Sequence, residues 1–252
     1  MRFAFGCIIG SICLVITLTS AVNAQRDQGG FIAPNDTLQQ SLPALHYLYI
    51  PENGFTFFEV PNGDFKGKIL PGPPLHLRSD DEIDSVLSAT ITGAYIRPQL
   101  LGRDNFFETS DDRYYVTFSK QQDGYIFILD NSYQGWTRVE DIIQKGFKLV
   151  YWMEFYGETK GRMLHPREKT ASILLSPYAD AQEIGVADEL YCEIISTGKC
   201  EGPYCAVKIT QFKNPYDPTK TKEENILKKY KGWMRIIDEE GRPLVAHYSK
   251  GT

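Results

Sequence analysis

Few side chains in this sequence are capable of covalent chemistry. Three cysteines, Cys192, Cys200 and Cys205, fall in one short segment, and Cys7 and Cys13 lie in an apolar N-terminal stretch. A thiol becomes a working nucleophile when a nearby histidine takes its proton. The four histidines, His46, His76, His165 and His247, form no local pattern with any cysteine. A free Cys192 brought to one of them by the fold would make a cysteine-dependent hydrolase, which stands as the enzymatic alternative. The 32 Asp and Glu residues offer many carboxylate pairs, but glycoside hydrolysis depends on their separation in space. No catalytic residue is assigned from these patterns.

Metal and cofactor chemistry finds no better footing. The spacing Cys-x7-Cys-x4-Cys without a neighbouring histidine is not a zinc pattern. The acidic run Asp80-Asp81-Glu82 with Asp84 lacks the alternating ligands and central glycine of a calcium loop, and reads instead as a helix start. There is no phosphate-cradling glycine loop or nucleotide fingerprint. Neither a metal nor a cofactor is expected.

The cysteines have a structural use if the chain is exported. Met1-Arg2 is followed by an almost wholly apolar stretch from Phe3 to Leu18 and by Val22-Asn23-Ala24, the form of a signal peptide cleaved after Ala24. A secreted or periplasmic protein is therefore expected, with no further membrane segment once the signal is removed. In that oxidising compartment a local disulfide is expected, Cys200–Cys205 across the turn Glu201-Gly202-Pro203-Tyr204. Cys192–Cys205, across a hairpin centred on Gly198-Lys199, is the rival pairing. The formal net charge of −5 argues against nucleic acid or an anionic membrane as the main partner, since both reward a basic face.

Residues 25–44 are polar, contain Gly29-Gly30, Pro34 and Pro43, and read as a flexible tether. From Tyr47 onward, short runs of Tyr, Phe, Ile and Val are broken by Gly, Pro, Asn and Asp, the pattern of many short strands. They include Thr56–Val60, Tyr114–Ser119, Tyr125–Leu129, Phe147–Phe155, Ala171–Leu175, Leu190–Ile195, Cys205–Phe212 and Trp233–Ile237. Lys120-Gln121-Gln122-Asp123-Gly124 supplies an Asp-Gly turn for a hairpin. Capping boxes at Ser79–Glu82 and Thr221–Glu224 predict two short helices, the second ending near Tyr230.

An approximate internal repeat runs through this pattern. Phe57–Gly63 with Gly67-Lys68-Ile69 is echoed by Ile173–Ala179 with Glu183-Ile184-Gly185, and Gly135-Trp136-Thr137-Arg138-Val139 by Gly232-Trp233-Met234-Arg235-Ile236. The order of strand, Pro turn, strand, hairpin and Gly-Trp strand resembles a pair of bacterial SH3-like domains. That resemblance implies an all-β protein of two small SH3-like antiparallel β-barrels with loop insertions and a few short helices. The expected units are 45–145 and 165–252, joined by an extended aromatic linker over 146–164.

The resemblance also implies a non-catalytic module that recognises cell-wall peptide or an envelope protein partner. A structural component of a secreted assembly is the remaining alternative. A barrel too small to hold an internal cavity binds on its outside, through aromatic side chains and loop groups. Trp136, Trp233, Tyr133 and Tyr230 are the ligand-binding candidates, although each indole would equally fill a barrel core.

Overall fold

The computed structural model of the 252-residue chain describes residues 29–41, 50–51, 53–71, 89–93, 96–100, 106–108, 114–129, 134–214 and 221–246. The expected signal segment, the helix start at Ser79–Glu82 and Tyr133 lie outside these residues, as do His46, His76 and His247.

The N-terminal half contains β1 (Gly30–Pro34), α1 (Asp36–Ser41), β2 (Phe55–Phe58), β3 (Phe65–Pro71), β4 (Ala89–Gly93), β5 (Ile96–Leu100), β6 (Phe106–Glu108) and β7 (Tyr114–Phe118). It continues through β8 (Lys120–Gln122), β9 (Tyr125–Leu129), β10 (Gln134–Arg138), α2 (Val139–Gln144), β11 (Phe147–Tyr151) and α3 (Trp152–Glu158). The C-terminal half contains β12 (His165–Pro166), β13 (Thr170–Leu174), β14 (Glu183–Asp188), β15 (Cys192–Glu201), β16 (Tyr204–Phe212), α4 (Lys222–Asn225), β17 (Ile226–Arg235) and β18 (Val245–Ala246).

The strands form sheets of order β11-β1-β7-β6, β5-β4-β3-β2-β10-β9-β8 and β14-β13-β17-β16-β15, with a small β12-β18 ladder. Every pairing among the described residues is antiparallel, and no sheet closes into a barrel there. The all-β expectation holds at this level. The predicted Asp-Gly turn is present between β8 and β9, with Asp123 at φ 49° and Gly124 at φ 79°, the two positive values that a type I′ hairpin requires.

Three expectations fail, each where tertiary packing overrides a local signal. Within the stretch read as a tether, Gly30–Pro34 is a strand buried at all five positions between β11 and β7. Its flanking Gly-Gly and Pro carry turn signals, which mask a run of apolar residues too short to show a period. Asn35 then caps α1, its Oδ1 accepting from Leu38 N at 2.8 Å.

The segment 146–164 begins as the expected strand, β11, but does not stay extended. After β11 the chain turns into α3, because Trp152 and Tyr156 stand four residues apart and a helix carries both to one face. Both are fully buried. The Trp152 ring lies 4.7 Å from Phe107 and 5.3 Å from Phe31, while Nε1 donates to the Gly241 carbonyl at 2.9 Å. Tyr156 Oη donates to the Val245 carbonyl at 2.8 Å. The buried side chains of both halves form one continuous cluster around this helix.

The third correction concerns the segment before Trp233. The Thr221 capping box forms, with Glu224 Oε2 accepting from Thr221 N at 2.9 Å, but α4 ends at Asn225. β17 begins at Ile226, so Tyr230 sits in a strand and not on a loop. Between β15 and β16 the disulfide joins Cys200 to Cys205, directly opposite each other in the ladder, and leaves Cys192 free.

Two stability measurements follow from this packing. Trp152→Ala removes a fully buried ring and is expected to lower the unfolding free energy by about 3–5 kcal/mol in urea titration. Replacing Cys200 and Cys205 together by serine opens a short loop, and a loss of about 2 kcal/mol is expected in the same titration.

Candidate functional site

The repeat is visible in the sheet pairing as well as in the sequence. Trp136 lies opposite Phe58 of β2, and Trp233 lies opposite Leu174 of β13. The glycine before each tryptophan is required by close backbone approach. A Cβ at Gly135 would strike the Phe57 ring and the Phe58 carbonyl oxygen, and one at Gly232 would strike Ile173 and the Leu174 carbonyl oxygen.

The preceding hairpins match in the same register, Gln122 facing Tyr125 and Glu201 facing Tyr204. Lys120, Tyr125, Phe127, Trp136 and Arg138 thereby correspond to Lys199, Tyr204, Ala206, Trp233 and Arg235. One part of the sequence alignment shifts: Phe57 pairs with Gly67 and Ile173 with Gly185, so the two glycines correspond, displacing the match of Gly67 with Glu183 by two residues.

In the first copy the outer face of the sheet is filled. Trp136 is 7% exposed beneath Phe127, with ring centres 4.9 Å apart. Lys120 Nζ lies 4.8 Å from the Phe127 ring and 5.4 Å from the Trp136 ring. Arg138 donates to Tyr125 Oη from Nε at 3.3 Å and Nη2 at 3.1 Å, and that hydroxyl donates to Asn62 Oδ1 at 3.1 Å. Phe58 packs edge-on to Tyr125.

In the second copy the same positions are open. Ala206 replaces the covering phenylalanine, so Trp233 stays half-buried with Lys199 Nζ 5.2 Å from its ring. Leu174 replaces Phe58. Arg235 turns to the Ile237 carbonyl, which accepts from Nε at 2.9 Å, and reaches Glu239 at 3.7 Å. Beside it a cleft of about 440 Å³ is lined by Leu174, Ala181, Glu183, Tyr204, Arg235 and Glu168, among others. Such a site offers an aromatic wall, one guanidinium and two carboxylates, a set that can hold an extended chain with charged or polar groups.

The sequence candidates are thus separated by the fold. Trp136 is a buried packing residue and Trp233 a half-buried one on the less filled face. Tyr230 shares the inner face of β17 with Met234 and lies against Gly185, where burial pushes its hydroxyl pKa up. Tyr204 and Arg235 escaped the sequence reading. Matching the Lys-to-Tyr hairpins of the two copies, which share the form Lys-x4-Tyr, would have found them.

A second cleft, of about 630 Å³, is lined by both His165 and Cys192. His165 Nδ1 stands 3.2 Å from Glu189 Oε1. His165 pairs in the sheet with Ala246 of β18, and the isolated bridge of Met163 with Ile195 brings its segment alongside β15. Burial pushes the Cys192 thiol up, against a weaker opposing contact with the Asp188 backbone. An activated nucleophile requires the reverse shift.

No protein-family model, curated protein or solved structure matches this chain.

Two outcomes check this description. Ala206→Phe is expected to cover Trp233 as Phe127 covers Trp136, lowering acrylamide quenching of tryptophan fluorescence, while Phe127→Ala raises it by uncovering Trp136. Cys192 in the folded protein is expected to alkylate more slowly than a free thiol at neutral pH, with its rate levelling off at a higher pH than a free thiol's. Because folding raises this pKa, the stability drawn from the neutral thiol is complete below the unfolded value and is lost as pH climbs through the folded one.

Proposed function

We propose that the chain is an exported, non-catalytic binding protein whose C-terminal half docks a cell-wall peptide or an extended segment of an envelope protein partner. The observation that carries this reading is the open cleft at Tyr204 and Arg235, beside half-buried Trp233, at the place where the first copy is filled. A copy that keeps the framework but leaves its tryptophan uncovered and its arginine beside a cleft has surface available for a ligand. Arg235 suits a peptide carboxylate, Glu168 and Glu183 suit amino groups, and the half-buried Trp233 supplies contact area at low entropic cost, while Tyr204, buried like Tyr125, lines the cleft.

Each half is read as a divergent SH3-like unit left open along one seam. The C-terminal sheet supports this, since the first strand of the unit, β13, lies between the second and the last. Export rests on the N-terminal apolar stretch and the small residues before Gln25.

The test is retention of the purified protein on insoluble peptidoglycan, with circular dichroism verifying each variant's fold. Saturable retention is expected, weakened about tenfold or more by Trp233→Ala and by Arg235→Ala in folded protein. Retention unchanged in both variants removes the cleft from the reading, and no retention by the parent protein removes the wall-peptide ligand.

A further inference from the structure

We infer that the outer face of the C-terminal sheet also binds a linear polysaccharide bearing carboxylate groups, along a row of lysines that continues from Trp233. This goes beyond the peptide cleft, sharing Trp233 with it and adding the lysines of β15, β16 and β17. Strand alternation puts Lys229, Lys231 and Trp233 on one face of β17, at intervals of about 6.6–6.8 Å. Lys208 of β16 lies directly opposite Lys231, and Lys199 reaches over Trp233 from β15. All four lysines are exposed.

Like charges placed directly across a ladder are destabilising. None of the four lysines makes an ion pair among the described residues, and Glu193, at the β15 side of this face, is taken by Lys222 at 2.9 Å. A chain with a formal net charge of −5 thus keeps an uncompensated cationic strip along one sheet face. The strip calls for a ligand with repeated negative charge, and the half-buried indole beside it offers an apolar face for a sugar ring.

Other polymers fit less well. Single-stranded nucleic acid is held by successive aromatic platforms, and this face presents one indole. A protein interface has an apolar centre depleted of charge, whereas lysines occupy the centre here.

The test measures binding of the intact protein to polygalacturonate by calorimetry at about 50 mM salt, where screening is modest, with neutral dextran and oligo-dT as comparators. Binding to polygalacturonate is expected, weakening as salt rises. The double variant Lys208→Gln with Lys231→Gln is expected to lose about tenfold or more with an unchanged circular dichroism spectrum, and Trp233→Ala about tenfold. The double lysine variant, which leaves the cleft residues in place, is expected to keep the parent's retention on peptidoglycan, so this result is separable from failure of the peptide reading. Absent binding, equal binding of dextran, tighter binding of oligo-dT, or no effect of the double lysine variant would each overturn the inference.

Discussion

Burial of Trp152 is the constraint on which the two halves of the molecule depend. Its ring packs against Phe31 and Phe107 of the N-terminal half, and a buried indole N–H must find an acceptor. That acceptor is the Gly241 carbonyl, presented by a turn in the C-terminal half. Asp238 builds the turn: Oδ1 accepts from Glu240 N at 2.9 Å and Arg242 N at 2.8 Å, and Oδ2 accepts from Arg242 Nε at 2.7 Å. One hydrogen bond and its aromatic surroundings thereby connect β1, α3 and the 238–242 turn. The halves share a core and do not hang from a flexible connector.

Within that shared framework the two copies have diverged through a few side-chain volumes. The first is sealed by Phe58, Phe127 and Trp136, so its arginine is occupied with Tyr125. The second keeps the tryptophan, Trp233, but has Leu174 and Ala206 in place of the two phenylalanines. Where the first copy has Gln121 and Ile126 facing each other across its hairpin, the second has Cys200 and Cys205. A covalent cross-strand link can hold the second hairpin without filling its outer face, which is what a binding surface needs.

Much of the local architecture was legible from residues close in sequence. Asp123-Gly124 announces a hairpin because few other residues tolerate two successive positive φ values. Thr221 with Glu224 announces a helix start, and Cys200 with Cys205 a bridge across a tight turn, since in each case the partners lie within a few residues. The N-terminal strand was not legible, because a five-residue run has no readable period and is strand only by pairing with β11 and β7. Phe147–Phe155 read as continuous strand for the same reason. Its switch to helix at Trp152 is decided by aromatic partners elsewhere in the chain.

The amino-acid sequence by itself determined the strand-rich class and the existence of a Gly-Trp repeat, and narrowed the disulfide to two pairings, since all three rest on short-range chemistry. Only the tertiary structure decided which tryptophan is core and which is surface. That difference lies in the residue across the ladder, Phe127 opposite Trp136 and Ala206 opposite Trp233, and cross-strand register is set by hydrogen bonding between segments. It also decided that Tyr204 and Arg235 share a cleft and that Lys208 faces Lys231, because a sheet brings side chains distant in sequence onto one face.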